Sequence, residues 1–333
     1  MTSLAVIVPV YNSLSTLPEL IGRLHAAASE ITSDYTLVLV DDRGPQPVWP
    51  VIAEHAKRDP RVLGLRLSRN FGQHAAITTG LRAVEADWYV VMDCDLQDRP
   101  EDIPSLYEAA LQGGHDSVLA VRGDEEVGSR KKLGSRLFNF VLRNLADIPV
   151  STDVGNFRIF NRRMAEAYHL YREQMRLFPA LMSHLGFDVG RLEVQRPARA
   201  DGRSGYSLAK LLELGFDSIV SNTIKPVYYM ATFGFVVSAA AVGFALFLTV
   251  RKLFLDIPVE GWASTMAAIL ILGGLQISAI SFVGIYVGKV FFEVKGRPIA
   301  VVAESTTHAL DMAETDLPET DLPEARPTEA TQA

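Results

Sequence analysis

Two long stretches without a charged residue constrain this chain more than any other feature. Residues 227–250 and 263–288 contain no Asp, Glu, Lys or Arg. Each stretch exceeds the roughly 20 apolar residues that an α-helix needs to cross the hydrocarbon core of a bilayer. Because only the short segment 251–262 separates them, we expect two membrane-spanning helices rather than two buried helices of a soluble domain.

The charges around these stretches predict how they are oriented. Basic residues lie on both outer flanks, at Lys225 before the first stretch and at Lys289, Lys295 and Arg297 after the second. Cytoplasmic flanks of membrane helices are enriched in Lys and Arg. The amino terminus lacks the basic and apolar regions of a signal peptide. We therefore expect a multi-pass protein of the plasma (inner) membrane, with its N-terminal domain and both termini in the cytoplasm.

The region before residue 123 alternates between strand-like and helix-like segments. Five short apolar runs have the character of strands buried on both faces, at 4–11, 36–42, 62–68, 88–93 and 116–121. Helix-like segments lie between them, such as 15–30, where four leucine and isoleucine residues share one stripe. This alternation predicts an α/β doubly wound domain with a mostly parallel sheet and a ligand site at the carboxyl ends of the strands.

Carboxylates cluster where two of these strands end. Asp41 and Asp42 close the second strand, and Asp93 and Asp95 follow the fourth, on either side of Cys94. In an extended chain Asp93 and Asp95 point one way and Cys94 points toward the core. Two carboxylates held together repel each other unless a cation lies between them. Their hard oxygen ligands predict a site for Mg²⁺ or Mn²⁺ at Asp93 and Asp95.

Other residues indicate which classes of function do not fit. The turn after the first strand has no glycine, which excludes the phosphate-cradling turn of dinucleotide-binding enzymes. The net charge of −7 comes from the tail, since eight acidic residues and one arginine lie from Glu304 onward. The sequence has no basic run with interleaved aromatic residues, which is the pattern that would indicate nucleic-acid binding. Asp98 or Asp102 has a simpler interpretation as the cap of the helix that follows.

Several short motifs in a fixed order resemble those of one enzyme family. They are VPVYN (8–12), VDD (40–42), SRNFGQHAAITTGL (68–81), MDCDLQDRPED (92–102), DVGNFRIFNRR (153–163) and RADGRSGYSLAKLLEL (199–214). With the two apolar stretches, they resemble the polyisoprenyl-phosphate glycosyltransferases of glycosyltransferase family 2. The resemblance runs from residue 4 to about residue 302.

The resemblance implies a GT-A-type nucleotide-sugar-binding domain and a role for each matching residue. The nucleotide-sugar pocket would be formed by Pro9, Tyr11, Asp41, Asp42 and Asp93. The metal would be held by Asp93 and Asp95. The catalytic candidates are Asp153, Arg158 and Gln97. The acceptor phosphate and the lipid head group would be contacted by Arg199, Ser204 and Lys210.

Two positions depart from the family pattern. Ser13 stands where the family often has glutamate, which removes one expected nucleoside contact. Asn156 stands where many members have aspartate. If that aspartate is the acid near the acceptor in relatives, Asp153 is the remaining candidate in this chain.

The resemblance predicts inverting transfer of a sugar from a nucleotide-diphosphate sugar to a polyprenyl phosphate such as undecaprenyl phosphate. Its partners would be these two substrates and the lipid bilayer, and the sequence leaves open whether the chain forms homo-oligomers. One alternative is a processive polysaccharide synthase, although the Arg-Trp pair usual in those enzymes does not occur here. The other is a membrane scaffold that binds nucleotide sugar without turnover.

The expected organisation follows from these segments. The amphipathic pattern of 206–220, with six apolar residues at helical spacing, predicts a helix lying at the membrane surface. The tail repeats TDLPE and has the composition of a disordered segment. The predicted units are a GT-A domain (1–206), a juxtamembrane helix (207–226), two membrane helices (227–250 and 263–288) with an external loop (251–262), a cytosolic segment (289–303) and a disordered acidic tail (304–333).

Overall fold

The apolar runs of the N-terminal half form the strands of one sheet in the computed structural model, which describes residues 2–122, 154–173, 177–194, 225–255 and 261–306. The strands are β1 (Leu4–Val10), β2 (Tyr35–Asp41), β3 (Val62–Leu67), β4 (Trp88–Val91), β5 (Ser117–Arg122), β6 (Val154–Asn161), β7 (Val189–Val194) and β8 (Val302–Ser305). The helices are α1 (Leu17–Ile31), α2 (Trp49–Arg58), α3 (Gln73–Arg82), α4 (Ile103–Gly113), α5 (Arg162–Leu170), α6 (Phe178–His184), α7 (Lys225–Leu255) and α8 (Trp262–Val294). All five predicted strands are present, within one or two residues of the predicted bounds.

The sheet has the strand order β7-β5-β6-β4-β1-β2-β3-β8. Its central strands β4, β1, β2 and β3 are parallel, so their carboxyl ends meet at one edge. Strand β6 runs antiparallel to β4, with Arg158 opposite Val91. The mostly parallel sheet with helices on both faces confirms the predicted α/β fold, and it brings the start of β6 to the same edge as the end of β4.

Alternate residues of each central strand enter two separate cores. On β1, Val6 and Val8 pack with α1, α2 and α4 on one face. On the same strand, Ala5 and Ile7 pack with α3, α5 and α6 on the other face. Full burial of both faces explains the continuous apolar character of β1, because no position along it points to solvent.

Gly80 of α3 lets that helix approach the sheet closely. A Cβ atom at position 80 would lie 2.6 Å from Cγ2 of Ile7 and 3.1 Å from Cγ2 of Val40. Gly80→Ala is expected to lower the free energy of unfolding by about 1–2 kcal/mol, because overpacking of a core outweighs the helix propensity that alanine gains. Gly22→Ala in α1 is the control, since nothing lies within 4 Å of its added Cβ and alanine should stabilise that helix by up to about 1 kcal/mol. Urea denaturation of both variants tests this, and a stabilised Gly80→Ala variant would contradict it.

The segment that follows the second apolar stretch returns to the sheet, which corrects the predicted start of the disordered tail. Strand β8 pairs antiparallel with β3 and forms the edge of the sheet, so Glu304 and Ser305 belong to the folded domain. This strand was not predicted, because its four residues are partly or fully exposed and do not alternate as apolar and polar. The remaining tail, from residue 307, lies outside the described residues.

Two helices have the length and composition to cross a membrane. The qualifying spans are Val227–Leu248 of α7 and Ile271–Val294 of α8. Large apolar side chains on both helices are exposed, among them Phe235 and Ile280. Both helices run beyond the uncharged stretches, since α7 continues through Arg251 to Leu255 and α8 continues to Val294. Residues 207–224 of the predicted juxtamembrane helix lie outside the described residues, and its last two residues belong to α7.

Candidate active site

Backbone strain is concentrated at the carboxyl edge of the parallel strands. In the described residues, the non-glycine residues with positive φ are Asn12 (55°), Arg43 (52°) and Leu96 (59°). They follow β1, β2 and β4, respectively. Strained residues of this kind cost free energy and cluster at functional sites. The strain therefore marks the same edge of the sheet that carries the clustered carboxylates.

Gly44 brings the loops after β1 and β2 together at this edge. A Cβ atom at position 44 would lie 3.0 Å from the backbone nitrogen of Asn12 and 3.1 Å from Cδ2 of Tyr11. The Tyr11 side chain is half-exposed beside this contact. Pro9 lies buried within β1. Of these two predicted pocket residues, Tyr11 is therefore the one whose side chain a ligand can reach.

Asp42 ties the end of β2 to the loop that precedes α3. One of its oxygens accepts a hydrogen bond from the backbone amide of Phe71 (2.8 Å), and the other accepts one from that of Gly72 (3.0 Å). Burial raises the pKa of the Asp42 carboxyl, and the two amides oppose that rise. Gly72 has a φ of 96°, which only glycine adopts readily, and α3 begins at the next residue. Asp42 thus fixes the start of α3.

Asp41 is also buried and is oriented by two groups. Its Oδ1 accepts a hydrogen bond from the backbone amide of Arg43 (2.9 Å). Its Oδ2 lies 3.3 Å from Nε of Arg66, which is an ion-pair contact without hydrogen-bond geometry. Burial raises the pKa of the Asp41 carboxyl, while the Arg43 amide and the Arg66 charge act in the opposite direction.

Asp93 lies just beyond the end of β4 and is held by two side-chain amides. Its Oδ1 accepts hydrogen bonds from Nε2 of Gln73 (2.5 Å) and from Nδ2 of Asn156 (3.2 Å). Gln73 is the first residue of α3, and Asn156 belongs to β6. Three elements of the fold therefore meet at this carboxylate.

Asp95 is exposed, and the residue between the two carboxylates points into the protein. The Oδ1 of Asp95 accepts a hydrogen bond from the backbone amide of Gln97 (3.0 Å), whose side chain is half-exposed. The Sγ of Cys94 is buried and lies 2.9 Å from Oγ of Ser13. Burial raises the pKa of the Cys94 thiol, which disfavours the reactive thiolate. This agrees with the predicted inward orientation of Cys94.

The donor set at Asp93 and Asp95 fits a hard divalent cation. No group of three or more His, Cys, Asp or Glu side chains able to hold a metal occurs among the described residues. A cation here would therefore take two carboxylates from the protein, with waters and substrate phosphate oxygens as further ligands. Mg²⁺ and Mn²⁺ accept such a set, because Mg²⁺ in particular keeps waters and binds substrate phosphates.

Arg158 does not lie on the surface of the site. Its side chain is 2% exposed, and its guanidinium carbon lies 5.3 Å from the centre of the Phe178 ring. Burial lowers its pKa to about 10. One of its nitrogens donates to the carbonyl oxygen of Gly155 at 3.4 Å, which is a weak hydrogen bond. The sequence predicts a catalytic role for Arg158, and the structure buries its side chain on β6, two residues after Asn156 and beside Phe178 of α6.

The structure also bears on Asp98 and Asp102, the two predicted helix caps. Asp102 occupies the N-cap position of α4, but its side chain makes no capping hydrogen bond. Asp98 lies two residues before the 3₁₀ turn Pro100–Asp102 and is 2% exposed. The capping hydrogen bond predicted for Asp102 is therefore absent, and the capping role of Asp98 stays a prediction. The predicted site residues Asp153, Arg199, Ser204 and Lys210 lie outside the described residues.

Sequence reasoning missed the side chains that orient the carboxylates. Gln73 lies in one of the quoted motifs, and Asn156 was noted only as a departure from a pattern. Neither amide has a spacing that points to Asp93, since the two lie 20 and 63 residues from it in sequence. Arg66 was missed for the same reason, because only the pairing of β2 with β3 places it opposite Asp41.

Comparison with known proteins decides the family. The family model described as glycosyl transferase family 2 matches residues 5–168. A protein of Pseudomonas aeruginosa named undecaprenyl-phosphate 4-deoxy-4-formamido-L-arabinose transferase is 32% identical over 318 residues, which is 93% of each chain. The chain belongs to glycosyl transferase family 2. This confirms the family that the motifs indicated.

This family 2 glycosyltransferase has further relatives of similar length. An uncharacterized glycosyltransferase of Bacillus subtilis, YkcC, is 30% identical over 302 residues, covering 90% of this chain and 93% of the relative. Among solved structures, mannosyl-3-phosphoglycerate synthase from Rubrobacter xylanophilus is 16% identical, with a TM-score of 0.46 over 69% of this chain and 75% of that chain.

Proposed function

We propose that this glycosyltransferase moves a sugar from a nucleotide-diphosphate sugar to a polyprenyl phosphate at the cytoplasmic face of the membrane. The observation that carries the proposal is the Asp93 carboxylate, held by Gln73 and Asn156 beside the exposed Asp95. Two helices able to span a bilayer follow on the same chain. The Pseudomonas aeruginosa relative is named for transfer involving undecaprenyl phosphate, which supports this class of acceptor.

The donor would bind across the carboxyl ends of β1, β2 and β4. Tyr11, Asp41 and Asp42 would form the nucleoside side of the site, and Asp93 and Asp95 the diphosphate side. A bound Mg²⁺ or Mn²⁺ would stabilise the negative charge that develops on the departing nucleoside diphosphate. Gln73 and Asn156 orient the Asp93 carboxylate without adding a negative charge, so the site does not repel its anionic substrates further.

The acceptor needs little activation by the protein. A phosphate monoester has its second pKa near about 6, so it is mostly dianionic at neutral pH and is already a nucleophile. One acceptor oxygen attacks the anomeric carbon as the bond from that carbon to the donor diphosphate breaks, which inverts the anomeric centre. The main task of the protein is to hold two anions in line. Asp153, which precedes β6 in the sequence, and Arg199, Ser204 and Lys210 remain the proposed acceptor contacts.

Arg158 is proposed to act through its neighbours. It lies on β6 two residues after Asn156, and it is opposite Val91, two residues before Asp93. Its buried cation lies beside the Phe178 ring and donates a weak hydrogen bond to the carbonyl oxygen of Gly155, the residue before Asn156. Gln97 is proposed to fix the turn after Asp95, because its backbone amide donates to that carboxylate.

A donor screen tests the proposal. Purified full-length protein in liposomes containing undecaprenyl phosphate would be given UDP-, GDP- and dTDP-sugars with Mg²⁺ or Mn²⁺, and lipid-linked sugar would be measured. We expect one donor to give a product that is lost on chelation. Polymer released without lipid would favour a processive synthase, and donor binding without any product would favour a scaffold.

A further inference from the structure

Strand β8 joins the chain beyond the second membrane helix to the edge of the candidate donor site. The backbone amide of Ser68 donates to the carbonyl oxygen of Val301 (2.8 Å). Thr306 exchanges two hydrogen bonds with Gly64, since its hydroxyl accepts from the Gly64 amide (2.9 Å) and its amide donates to the Gly64 carbonyl (3.0 Å). The segment is therefore fastened to β3 at both ends.

The packing around Gly64 shows that this attachment is closely fitted. A Cβ atom at position 64 would lie 2.9 Å from Cγ2 of Thr306 and 2.5 Å from Cγ2 of Ile52 in α2. Only glycine leaves room for both neighbours at this position. The surface of β3 is thus shaped to receive the segment that contains β8.

Three charged residues lie in one row across β2, β3 and β8. Asp41 is paired with Arg66 in the register of β2 and β3, and Arg66 is paired with Glu304 in that of β3 and β8. The Nη1 of Arg66 lies 2.6 Å from Oε1 of Glu304, and its Nε lies 3.3 Å from Oδ2 of Asp41. The guanidinium carbon also lies 5.9 Å from the centre of the Trp49 ring.

One guanidinium is therefore shared between two carboxylates. Glu304 engages the terminal Nη1 of Arg66, and the Nε of Arg66 that faces Asp41 makes no hydrogen bond. Arginine binds a carboxylate most strongly when two of its nitrogens face both oxygens. Without Glu304, Arg66 could turn to bind Asp41 in this way, and it would then compete with a ligand for the Asp41 oxygens.

We propose that Glu304 is a positioning residue for donor binding. By holding Arg66 at the edge of the sheet, it keeps the Asp41 carboxylate available to the nucleoside. The inference rests on the proposed function, which places Asp41 in the nucleoside pocket. It also makes the segment after the second membrane helix a part of the donor site, whereas the sequence assigned Glu304 to a tail without a role.

The chain between the end of α8 and the start of β8 is short, so it links the candidate donor site to the second membrane helix. Helix α8 ends at Val294 and β8 begins at Val302. Eight steps of an extended chain span at most about 30 Å. The end of the membrane helix is therefore kept within that distance of β3, on the side of the domain where Asp41 lies.

The test compares Glu304→Gln with the wild type as full-length proteins. The probe is UDP, GDP or dTDP, whichever the wild type binds, in the presence of Mn²⁺. We expect the Kd for this nucleoside diphosphate to rise by about threefold to tenfold, or about 0.7–1.4 kcal/mol, because Arg66 would then compete with it for Asp41. The KM for undecaprenyl phosphate and the Tm should stay close to those of the wild type, because Glu304 is half-exposed. Glu304→Asp, which keeps the charge, should recover part of the affinity.

Matched controls separate positioning from general stability. Glu54→Gln removes an exposed carboxylate that pairs with Arg58 on α2, and it should leave the Kd unchanged. A chain ending after Thr306 should behave as the wild type, and one ending after Ala303 should bind donor at least as weakly as Glu304→Gln. A Glu304→Gln variant with a lower Tm and an unchanged Kd would overturn the proposal. If the wild type binds no nucleoside diphosphate and forms no lipid-linked sugar, the proposed function fails and this inference fails with it.

Discussion

Replacing Asp93 or Asp95 with asparagine is expected to lower turnover by about a hundredfold or more, the size of effect seen when an electrostatic stabiliser of the leaving group is lost. Asparagine keeps the size of the side chain and one oxygen but removes a negative charge. Folding should be preserved, because both residues lie beyond the end of β4 and Asp95 is exposed. The divalent-cation concentration that gives half-maximal rate should also rise in both variants.

Glu101→Gln provides the matched control in the same acidic stretch. Glu101 accepts two hydrogen bonds from Arg23 on the surface, at 2.7 and 2.8 Å. The Glu101→Gln variant loses one negative charge, as the Asp93→Asn and Asp95→Asn variants do, so a general effect of charge would appear equally in all three. The measurement is the initial rate against Mn²⁺ and Mg²⁺ concentration. Near-normal rates and metal curves for Asp93→Asn and Asp95→Asn would show that the carboxylates do not hold a catalytic cation.

Replacing Asp42 with asparagine is expected to lower kcat/KM for the donor by about tenfold, or about 1.4 kcal/mol of barrier. The Asp42 carboxylate accepts the amides of Phe71 and Gly72 on its two oxygens. Asparagine can accept with only one of its two terminal groups, so a backbone amide loses its partner, at a cost of about 1–3 kcal/mol. The start of α3 should shift, and with it Gln73, which orients Asp93.

Asp87→Asn is the control for this second prediction. Asp87 accepts hydrogen bonds from the backbone amide and the hydroxyl of Ser3, at 2.9 and 3.1 Å, just before β4 begins. It therefore has a similar structural role at the opposite edge of the sheet. We expect Asp87→Asn to lower the Tm and to leave kcat/KM unchanged. Equal effects of both substitutions on kcat/KM would contradict a specific role for Asp42 in the site.

The central fold could be predicted because its strands are recognisable one by one. β1 and β2 are continuous apolar runs, since both of their faces are buried, and α1 shows a clear apolar stripe. β8 could not be predicted, because it is a short, half-exposed edge strand that depends on pairing with β3, more than 200 residues earlier in the chain. Its stability comes from that long-range contact and not from its own residues.

The carboxylates of the candidate site could be predicted from the sequence, but the side chains that orient them could not. Asp93 and Asp95 stand out because clustered carboxylates after a buried strand require an explanation, and the fold does place them at the carboxyl edge. The amides of Gln73 and Asn156 reach Asp93 only because α3 and β6 converge there. Charge identifies the candidate ligands from the sequence, whereas the groups that orient them are set by tertiary contacts.

Transfer from a doubly labelled donor tests the central claim most directly. The donor would carry one label in the sugar and a radioactive phosphorus at the β-phosphate, and the full-length protein would be supplied with undecaprenyl phosphate. The proposed displacement breaks the bond between the anomeric carbon and the diphosphate. The sugar label should therefore appear in the lipid and the phosphorus label in released nucleoside diphosphate. Phosphorus label in the lipid, or no transfer of the sugar to lipid from any donor, would contradict the proposed reaction.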